Sequence, residues 1–244
     1  MNGTRPLSPA RGNGEKQPRA ALIVAHGSPS ELQVQEDNLQ NLAARVNHHL
    51  PGWQVRGATL AAEGSLERNA RELGAPLVYP YFMAQGWFTD KILKEKTAAL
   101  GLKQLRPFGL EDILVEVVAS KVAEKALSMG WDIESTSVVV AAHGSKVSQT
   151  SAASAHSFCA ALRIRLNLHR CVCGFVEEPP FIKDIATGLT RSICVPFFAI
   201  ASGHVSDDLP KALKTADFYG PVLRPFIEYH ETASLIAGSL RKFA

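Results

Sequence analysis

The side chains best suited to chemistry in this 244-residue sequence are two histidines and a glutamate in its second half. His143, Glu177 and His204 each follow a run of mainly apolar residues. Two imidazoles and one carboxylate, without a thiolate, form a donor set suited to Co(II), Fe(II), Ni(II) or Zn(II). Neutral imidazole is also a general base. These three residues therefore predict a site that binds a divalent metal, accepts protons, or does both.

The first half of the chain repeats the second but lacks part of this donor set. His26-Gly-Ser follows an apolar run near the start, and His143-Gly-Ser follows a similar run in the middle. At 61 residues after each of these histidines, Trp87 stands in the first half and His204 in the second. A fold that accepts tryptophan at this position does not require histidine there, so we assign His204 to chemistry. Taken alone, His204 has the alternative interpretation of a surface side chain at a helix start.

Glu177 and Glu178 precede two prolines, where a helix is predicted to begin. Aligning the two halves at this point places Ala62 opposite Glu177 and Glu63 opposite Glu178. On this alignment the carboxylate of Glu177 occurs in the second half alone, which makes it the better functional candidate. Glu178 is the better structural candidate, although the sequence leaves the reverse assignment open.

Apolar runs alternate with longer amphipathic segments in both halves, which is typical of an α/β fold with a mainly parallel sheet. We predict two tandem, similar lobes, each with a four-stranded sheet flanked by helices, and a cleft between the lobes. The predicted strands are Ala20–Ala25, Trp53–Leu60, Pro76–Phe82, Leu102–Pro107, Thr136–Ala141, His169–Val176, Arg191–Phe197 and Val222–Pro225. The predicted helices are Glu31–His49, Ser65–Leu73, Thr89–Leu100, Glu111–Met129, Gln149–Asn167, Pro180–Leu189, Ser206–Thr215 and Glu228–Lys242. The carboxyl ends of parallel strands share one edge, so the loops with the three candidate residues are expected to converge.

Charge and composition divide the chain into three parts. We predict a disordered leader over 1–19, an N-terminal lobe with a degenerate site over 20–130, and a C-terminal lobe with the metal site over 131–244. The formal net charge of +3 is carried by the leader, so the two lobes are neutral together. A neutral folded region argues against a nucleic-acid partner. The leader has neither the apolar segment of a secretory signal nor the amphipathic pattern of a transit peptide.

The apolar runs and the cysteines indicate the cellular setting. Every apolar run is shorter than the roughly 18 residues that a membrane span needs, so no membrane partner is expected. The four cysteines include one close pair, Cys171 and Cys173, whose spacing is not that of a zinc or redox motif. We therefore predict a soluble protein in the reducing cytoplasm. Its oligomeric state, monomer or homodimer, stays open.

Three segments together resemble the class II chelatases, in particular the sirohydrochlorin cobaltochelatase family. They are an apolar strand ending in His-Gly-Ser at 143–145, Phe-x-Glu before proline at 175–179, and a Pro-x-Phe, Gly-His and Asp-x-Pro series over 196–210. The resemblance implies a pair of similar α/β lobes that hold a tetrapyrrole, into which a divalent metal is inserted without nucleotide hydrolysis. The sequence departs from the family at Lys146, where Arg is frequent.

The resemblance also implies roles for the candidate site. His143 and His204 would bind the incoming ion or accept pyrrole protons, and Glu177 would assist. Metal insertion displaces two N–H protons from the macrocycle, so a site with weak ligands and bases suits this chemistry. Which histidine is the ligand and which is the proton acceptor stays open.

A second set of residues is expected to bind the tetrapyrrole: Ser145, Lys146, Trp87 and His26. Lys146 can meet a substrate carboxylate as a point charge, without the bidentate fork of Arg. Trp87 and Phe88 can stack on a flat macrocycle, but burial in the core is the expected location of both. His26 is expected to be packed or substrate-facing rather than a metal ligand.

The function that these observations favour is insertion of a divalent metal into a metal-free tetrapyrrole such as sirohydrochlorin, in cobalamin or sirohaem biosynthesis. Co²⁺ is the first choice, with Fe²⁺ and Ni²⁺ as alternatives, and the metal is a substrate of this lyase. No nucleotide is expected, because the sequence has neither a P-loop nor a dinucleotide-binding motif. Two alternatives are a non-catalytic tetrapyrrole or metal carrier on the same fold, and a structural α/β protein.

Overall fold

The computed structural model describes residues 19–145, 150–200 and 207–243. Within these residues the chain forms two parallel three-stranded sheets, in the orders β2-β1-β3 and β5-β4-β6. The predicted leader lies almost wholly outside the described residues, and so do Lys146 and His204.

The first sheet is built on a central strand that is buried on both faces. β1 (Arg19–Ala25) pairs in parallel with β2 (Trp53–Thr59) on one side and with β3 (Leu77–Pro80) on the other. The last five residues of β1 are fully buried, which accounts for the uninterrupted apolar run of a central parallel strand. The helices of this part are α1 (Leu32–His48), α2 (Ser65–Leu73) and α3 (Lys94–Ala99).

The second sheet repeats this topology. β4 (Ser137–Ala142) lies between β5 (Arg170–Phe175) and β6 (Ser192–Pro196), and all pairs are parallel. The helices that follow α3 in the chain are α4 (Ile113–Ser128), α5 (Thr150–Leu166), α6 (Ile182–Ile185), α7 (Leu209–Thr215) and α8 (Glu231–Arg241). The predicted alternation of strands and helices is therefore present in both halves.

The predicted fourth strand of each sheet is reduced to a single bridge. Val78 pairs with Gln104, and Cys194 pairs with Val222. In a parallel ladder each strand donates at every second residue, so the next donors after these bridges would be the residues at 80 and 107, and at 196 and 225. All four positions are proline, which has no N–H to donate. The prediction of four-stranded sheets is therefore corrected to three strands plus a bridged segment.

Side chains of α1 cover the outer edge of β2. An edge strand exposes unpaired backbone groups unless another element bonds them. Three polar side chains on one face of α1 bond backbone groups of alternate residues of β2. Asn47 Oδ1 accepts from the N–H of Val55 at 3.2 Å, and the Glu36 carboxylate accepts from the N–H of Thr59. The Gln40 amide accepts from the N–H of Gly57 at 3.2 Å and donates to its carbonyl at 2.7 Å. This edge is therefore closed by a helix instead of a further strand.

The chain forms two compact units that differ from its two sequence halves by an exchange of helices. Among the described residues the first unit holds 19–82, 86–108 and 230–243, and the second holds 83–85 and 109–229. In the second unit α4 packs against α5, and Arg165 Nε lies 2.7 Å from the Glu116 carboxylate. In the first unit α8 packs against α1. The boundary predicted after residue 130 marks the sequence repeat, whereas each compact unit includes the last helix of the other half.

Two predicted helices differ in length or form. The helix predicted over Thr89–Leu100 begins as a π-helical segment, Trp87–Leu93, before α3. The helix predicted over Pro180–Leu189 is only α6, which ends at Ile185, and Gly188 beyond it has a left-handed φ of 71°. Among the described residues, none of the helices is long and apolar enough to cross a membrane.

The cysteines of the second unit are free thiols. Cys173 and Cys194 are buried, and burial raises the pKa of Cys194 to about 12. Burial also raises the pKa of Cys173. A thiol with a raised pKa stays protonated at neutral pH and is a poor nucleophile. These two residues therefore act as small apolar side chains of the core.

Replacing Gly57 by Ala should destabilise the first unit. A Cβ at Gly57 would lie 2.7 Å from the carbonyl carbon and oxygen of Leu39, which are backbone atoms of α1. Helix α1 would have to move and weaken the Gln40 bonds, at a cost of about 1–3 kcal/mol. Urea unfolding of Gly57→Ala measures this as a lower midpoint.

Gly238→Ala in α8 is the matched control. A Cβ at Gly238 would meet no heavy atom within 4 Å among the described residues. Alanine is the better helix former by about 1 kcal/mol, so this variant should be as stable as the parent or slightly more stable. Equal midpoints for the two variants would contradict the close approach of α1 to β2.

Candidate functional site

The first candidate residue, His143, directly follows the central strand of the second sheet. β4 ends at Ala142, so the half-buried His143 lies at the carboxyl edge of that sheet, as predicted. Its Nδ1 lies 3.0 Å from the carbonyl oxygen of Gly144. A carbonyl oxygen only accepts hydrogen bonds, so Nδ1 carries the proton in this contact. In the neutral ring Nε2 is then the basic nitrogen, which is the form that binds a metal or accepts a proton.

The second candidate residue, Glu177, lies beside His143 because the two strands are paired. β4 and β5 end opposite each other, with Ala142 paired to Phe175. The ladder continues past both strands, because the N–H of Val176 donates to the Ala142 carbonyl at 3.1 Å and the N–H of Glu177 donates to the His143 carbonyl at 3.0 Å. Two of the three predicted groups are therefore on adjacent backbone segments, although 34 residues separate them in sequence.

The neighbouring carboxylate, Glu178, has a structural contact. Its Oε1 accepts a hydrogen bond from the backbone N–H of Ser145 at 2.7 Å. This contact joins the loop after β5 to the loop after β4. The sequence holds no signal for it, since the bond connects residues 33 positions apart.

The loop after β6 leads to the third candidate residue. The N–H of Phe197 donates to the Ala141 carbonyl at 2.7 Å, which brings this loop to the same sheet edge. His204 itself lies outside the described residues, as does Lys146. Within the part of the chain that the structure describes, no group of three or more metal-binding side chains comes together. The three-residue metal site therefore stays a prediction.

The backbone of the first half corrects the sequence alignment of the two glutamates. After β2, the N–H of Leu60 donates to the Ala25 carbonyl and the N–H of Ala61 donates to the His26 carbonyl, both at 2.9 Å. This is the pattern formed by residues 176 and 177 with the second sheet. Ala61 therefore corresponds to Glu177, and Ala62 corresponds to Glu178.

The alignment predicted from sequence was off by one residue. It made the spacing from the histidine to this position two residues longer in the first half than in the second, whereas β1 and β2 pair with an offset only one residue longer than β4 and β5. Glu63 is then not the counterpart of Glu178. As a result, both Glu177 and Glu178 are carboxylates at positions where the first unit has alanine.

In the first unit, aromatic side chains occupy the region that corresponds to the candidate site. Trp87 is 53% exposed and Phe88 is 40% exposed. The Phe88 ring lies over His26, with 3.9 Å between the ring centroids, and the Lys91 ammonium lies 4.2 Å from the centroid of Trp87. The expectation that Trp87 and Phe88 are buried in the core is wrong.

The backbone turn explains this exposure. The buried Thr89 hydroxyl bonds the N–H of Gly86 at 2.8 Å and its carbonyl at 3.0 Å, which closes the turn over residues 86–89. Gln104 Nε2 donates to the Thr89 carbonyl at 2.9 Å and ties the turn to the bridged segment. Thr89 is thus the inward residue, and the two aromatic residues before it project outward.

Comparison with solved structures gives several similarities. CbiX, the terminal enzyme for biosynthesis of siroheme in denitrifying bacteria, is 40% identical, and the match covers 93% of this chain and 100% of that chain with a TM-score of 0.84. SirB from Bacillus subtilis, solved with Fe³⁺, is 14% identical over 93% of this chain and 95% of its own, with a TM-score of 0.69. No family model and no curated protein matched the chain.

A third structure has the same fold within a longer protein. DR2241 from Deinococcus radiodurans, a multi-domain protein with structural similarity to chelatases and two additional novel domains, is 18% identical with a TM-score of 0.64. The match covers 91% of this chain and 54% of that chain. At this level of identity, DR2241 and SirB show a shared fold.

The exposure of Trp87 predicts a small effect on stability. Trp87→Ala removes a side chain that contributes little to the core, so the free energy of unfolding should change by about 0.5 kcal/mol or less. Trp53→Ala is the matched control, because Trp53 is only 9% exposed at the start of β2, and its loss should cost about 3–5 kcal/mol. Urea unfolding measures both changes in the free energy of unfolding. A large loss of stability in Trp87→Ala would show that this side chain is packed in the core.

Proposed function

The chain belongs to the class II chelatase family, as 40% identity over the whole of CbiX shows, and on this premise we propose that it inserts a divalent metal into a metal-free tetrapyrrole such as sirohydrochlorin. The observation that carries the proposal is this identity to an enzyme of siroheme biosynthesis. Co²⁺ is the proposed ion, in cobalamin biosynthesis, and Fe²⁺ or Ni²⁺ are alternatives. The siroheme role of CbiX and the Fe³⁺ of the SirB structure support iron among them.

We assign the metal and proton chemistry to the second unit. His143 supports this role because its Nδ1–H is bonded to the Gly144 carbonyl, so Nε2 is the nitrogen that meets the ion or a pyrrole proton. Glu177 supports it because its backbone is bonded to that of His143. His204 completes the proposed set on sequence grounds. Insertion releases two pyrrole protons, and imidazole and carboxylate are bases of suitable strength to accept them near neutral pH.

We assign contacts with the macrocycle to Trp87, His26, Ser145 and Lys146. Trp87 and His26 belong to the first unit, where both are exposed and Trp87 presents a large aromatic surface. Ser145 and Lys146 come soon after His143 in sequence, which supports a role for both in contacts with the substrate. Lys146 would pair with a carboxylate of the tetrapyrrole.

The metal-insertion assay tests this function. Purified protein is mixed with sirohydrochlorin and Co²⁺, Fe²⁺ or Ni²⁺, and the change in the absorption spectrum of the macrocycle is followed against a protein-free mixture. We expect acceleration with at least one ion. His143→Ala and His204→Ala should each lower kcat by about 100-fold or more, because each removes a ligand or a base.

His169→Ala is the control for these variants, since His169 is exposed on the same unit and precedes β5 instead of following it. Its rate should equal that of the parent. Absence of acceleration with all three ions would overturn the function. Stoichiometric tetrapyrrole or metal binding without a rate effect would identify the carrier alternative.

A separate prediction concerns the aromatic contact. Trp87→Ala should raise KM for the tetrapyrrole about 5- to 10-fold, since stacking of this size is worth about 1–1.5 kcal/mol. Trp87→Phe retains an aromatic face and should stay within about twofold of the parent. Steady-state kinetics with the tetrapyrrole varied at saturating metal measures both values, and an unchanged KM in Trp87→Ala would remove this residue from the binding site.

A further inference from the structure

Glu178 is connected to His143 through one peptide group. The Glu178 carboxylate accepts from the N–H of Ser145 at 2.7 Å. The carbonyl of the same peptide group belongs to Gly144, and it accepts from Nδ1 of His143 at 3.0 Å. A peptide group is planar, so an acceptor that holds the Ser145 N–H also sets the direction of the Gly144 carbonyl. The Glu178 side chain thus orients the acceptor that holds the His143 ring.

The backbone at Gly144 leaves space for the Glu178 carboxylate. Gly144 is buried and has a left-handed φ of 74°. A Cβ at this position would lie 2.8 Å from Glu178 Oε1, 2.9 Å from its Cγ and 2.9 Å from Cβ of Phe175. Glycine therefore permits both the conformation and the close packing of the Glu178 side chain on the loop.

The first unit lacks this arrangement. Its residue equivalent to Glu178 is Ala62, whose side chain has no acceptor to offer to the loop after β1. A carboxylate is present nearby, on Glu36 of α1, but it accepts from the N–H of Thr59 and from the Ser65 hydroxyl at 3.0 Å. That carboxylate holds the end of β2 to the start of α2, and the His26 ring lies against Phe88 instead. Among the described residues, the peptide-linked carboxylate is thus seen at the candidate site and not at the corresponding position of the first unit.

We propose that Glu178 is the positioning residue of His143: it orients the Gly144–Ser145 peptide so that the imidazole keeps its proton on Nδ1 and presents Nε2. Metal-binding histidines commonly donate their second N–H to a carboxylate or carbonyl, which sets ring orientation and basicity. In this unit the carboxylate acts through the carbonyl. The consequence for metal insertion rests on the proposed function, whereas the effect on the imidazole does not.

Two substitutions separate the acceptor role from the charge. Glu178→Gln keeps an oxygen acceptor at full side-chain length without the charge, and Glu178→Asp keeps the charge on a side chain one methylene shorter. If Glu178 acts by accepting the Ser145 N–H, Glu178→Gln retains function and Glu178→Asp loses it. If only its negative charge matters, the order is reversed and the proposal is wrong.

The first readout needs neither metal nor tetrapyrrole. Imidazole ¹⁵N chemical shifts of His143 in the metal-free protein, assigned by its loss in His143→Ala, report which nitrogen carries the proton. We expect the Nδ1–H form in the parent and in Glu178→Gln, and a mixture of both tautomers in Glu178→Asp and Glu178→Ala. An unchanged Nδ1–H form in both of these last variants would overturn the proposal, whatever the enzyme assay shows.

The second readout is the metal-insertion rate. Glu178→Asp should lower kcat about 10- to 100-fold with KM for the tetrapyrrole unchanged, a range typical of residues that support a metal ligand. Glu177→Gln is the matched control: it makes the same charge change as Glu178→Gln one residue away, but it should be strongly impaired because it removes a proposed ligand. Equal loss in Glu177→Gln and Glu178→Gln would contradict a positioning role. An inactive parent protein would refute the proposed function while the tautomer measurement still decides the role of Glu178.

Discussion

The parallel pairing of β4 with β5 is the constraint on which the candidate site depends. The pairing ends with Ala142 opposite Phe175, and the backbone bonds continue through Val176 and Glu177. The backbone bond between Glu177 and His143 and the contact of Glu178 with Ser145 follow from this register. A shift of one residue in the pairing would move the Glu177 and Glu178 side chains each to the other face of the sheet. The Glu178 carboxylate would then be separated from the Ser145 N–H. The ladder is itself stabilised by burial, since the last five residues of β4 are buried.

The two units have the same backbone topology but different side chains at the carboxyl edge of the sheet. His-Gly-Ser directly follows both central strands, and its glycine is in the left-handed region, at φ of 76° and 74°. The positions that follow the second strand carry alanines in one unit and glutamates in the other. The first unit then has an aromatic surface around Trp87, and the second has a loop held by Glu178. Duplication of a fold thus retains the edge where ligands bind and leaves the side chains there free to diverge.

Proline residues end the hydrogen-bond ladder at one edge of each sheet. The third strand of each sheet and the segment beside it carry proline at the positions where the ladder would continue. Each sheet therefore stops growing after one bridge, and the chain turns into a short 3-10 helix, Phe108–Leu110 or Phe226–Glu228. The helix that follows each turn packs in the compact unit of the other sequence half. The repeat seen in sequence and the compact units seen in structure differ for this reason.

The sequence by itself determined the α/β class, the positions of the six strands, the repeat and the chelatase resemblance, because apolar periodicity and motif spacing are properties of short segments. It placed His143 and Glu177 at one sheet edge, since parallel topology makes that edge common to all strands. Only the tertiary structure decided the equivalence of Ala61 with Glu177, the outward position of Trp87, the exchange of α4 and α8, and the contact of Glu178 with Ser145. Each of these depends on strand register or on bonds between residues distant in sequence, and no local pattern records them.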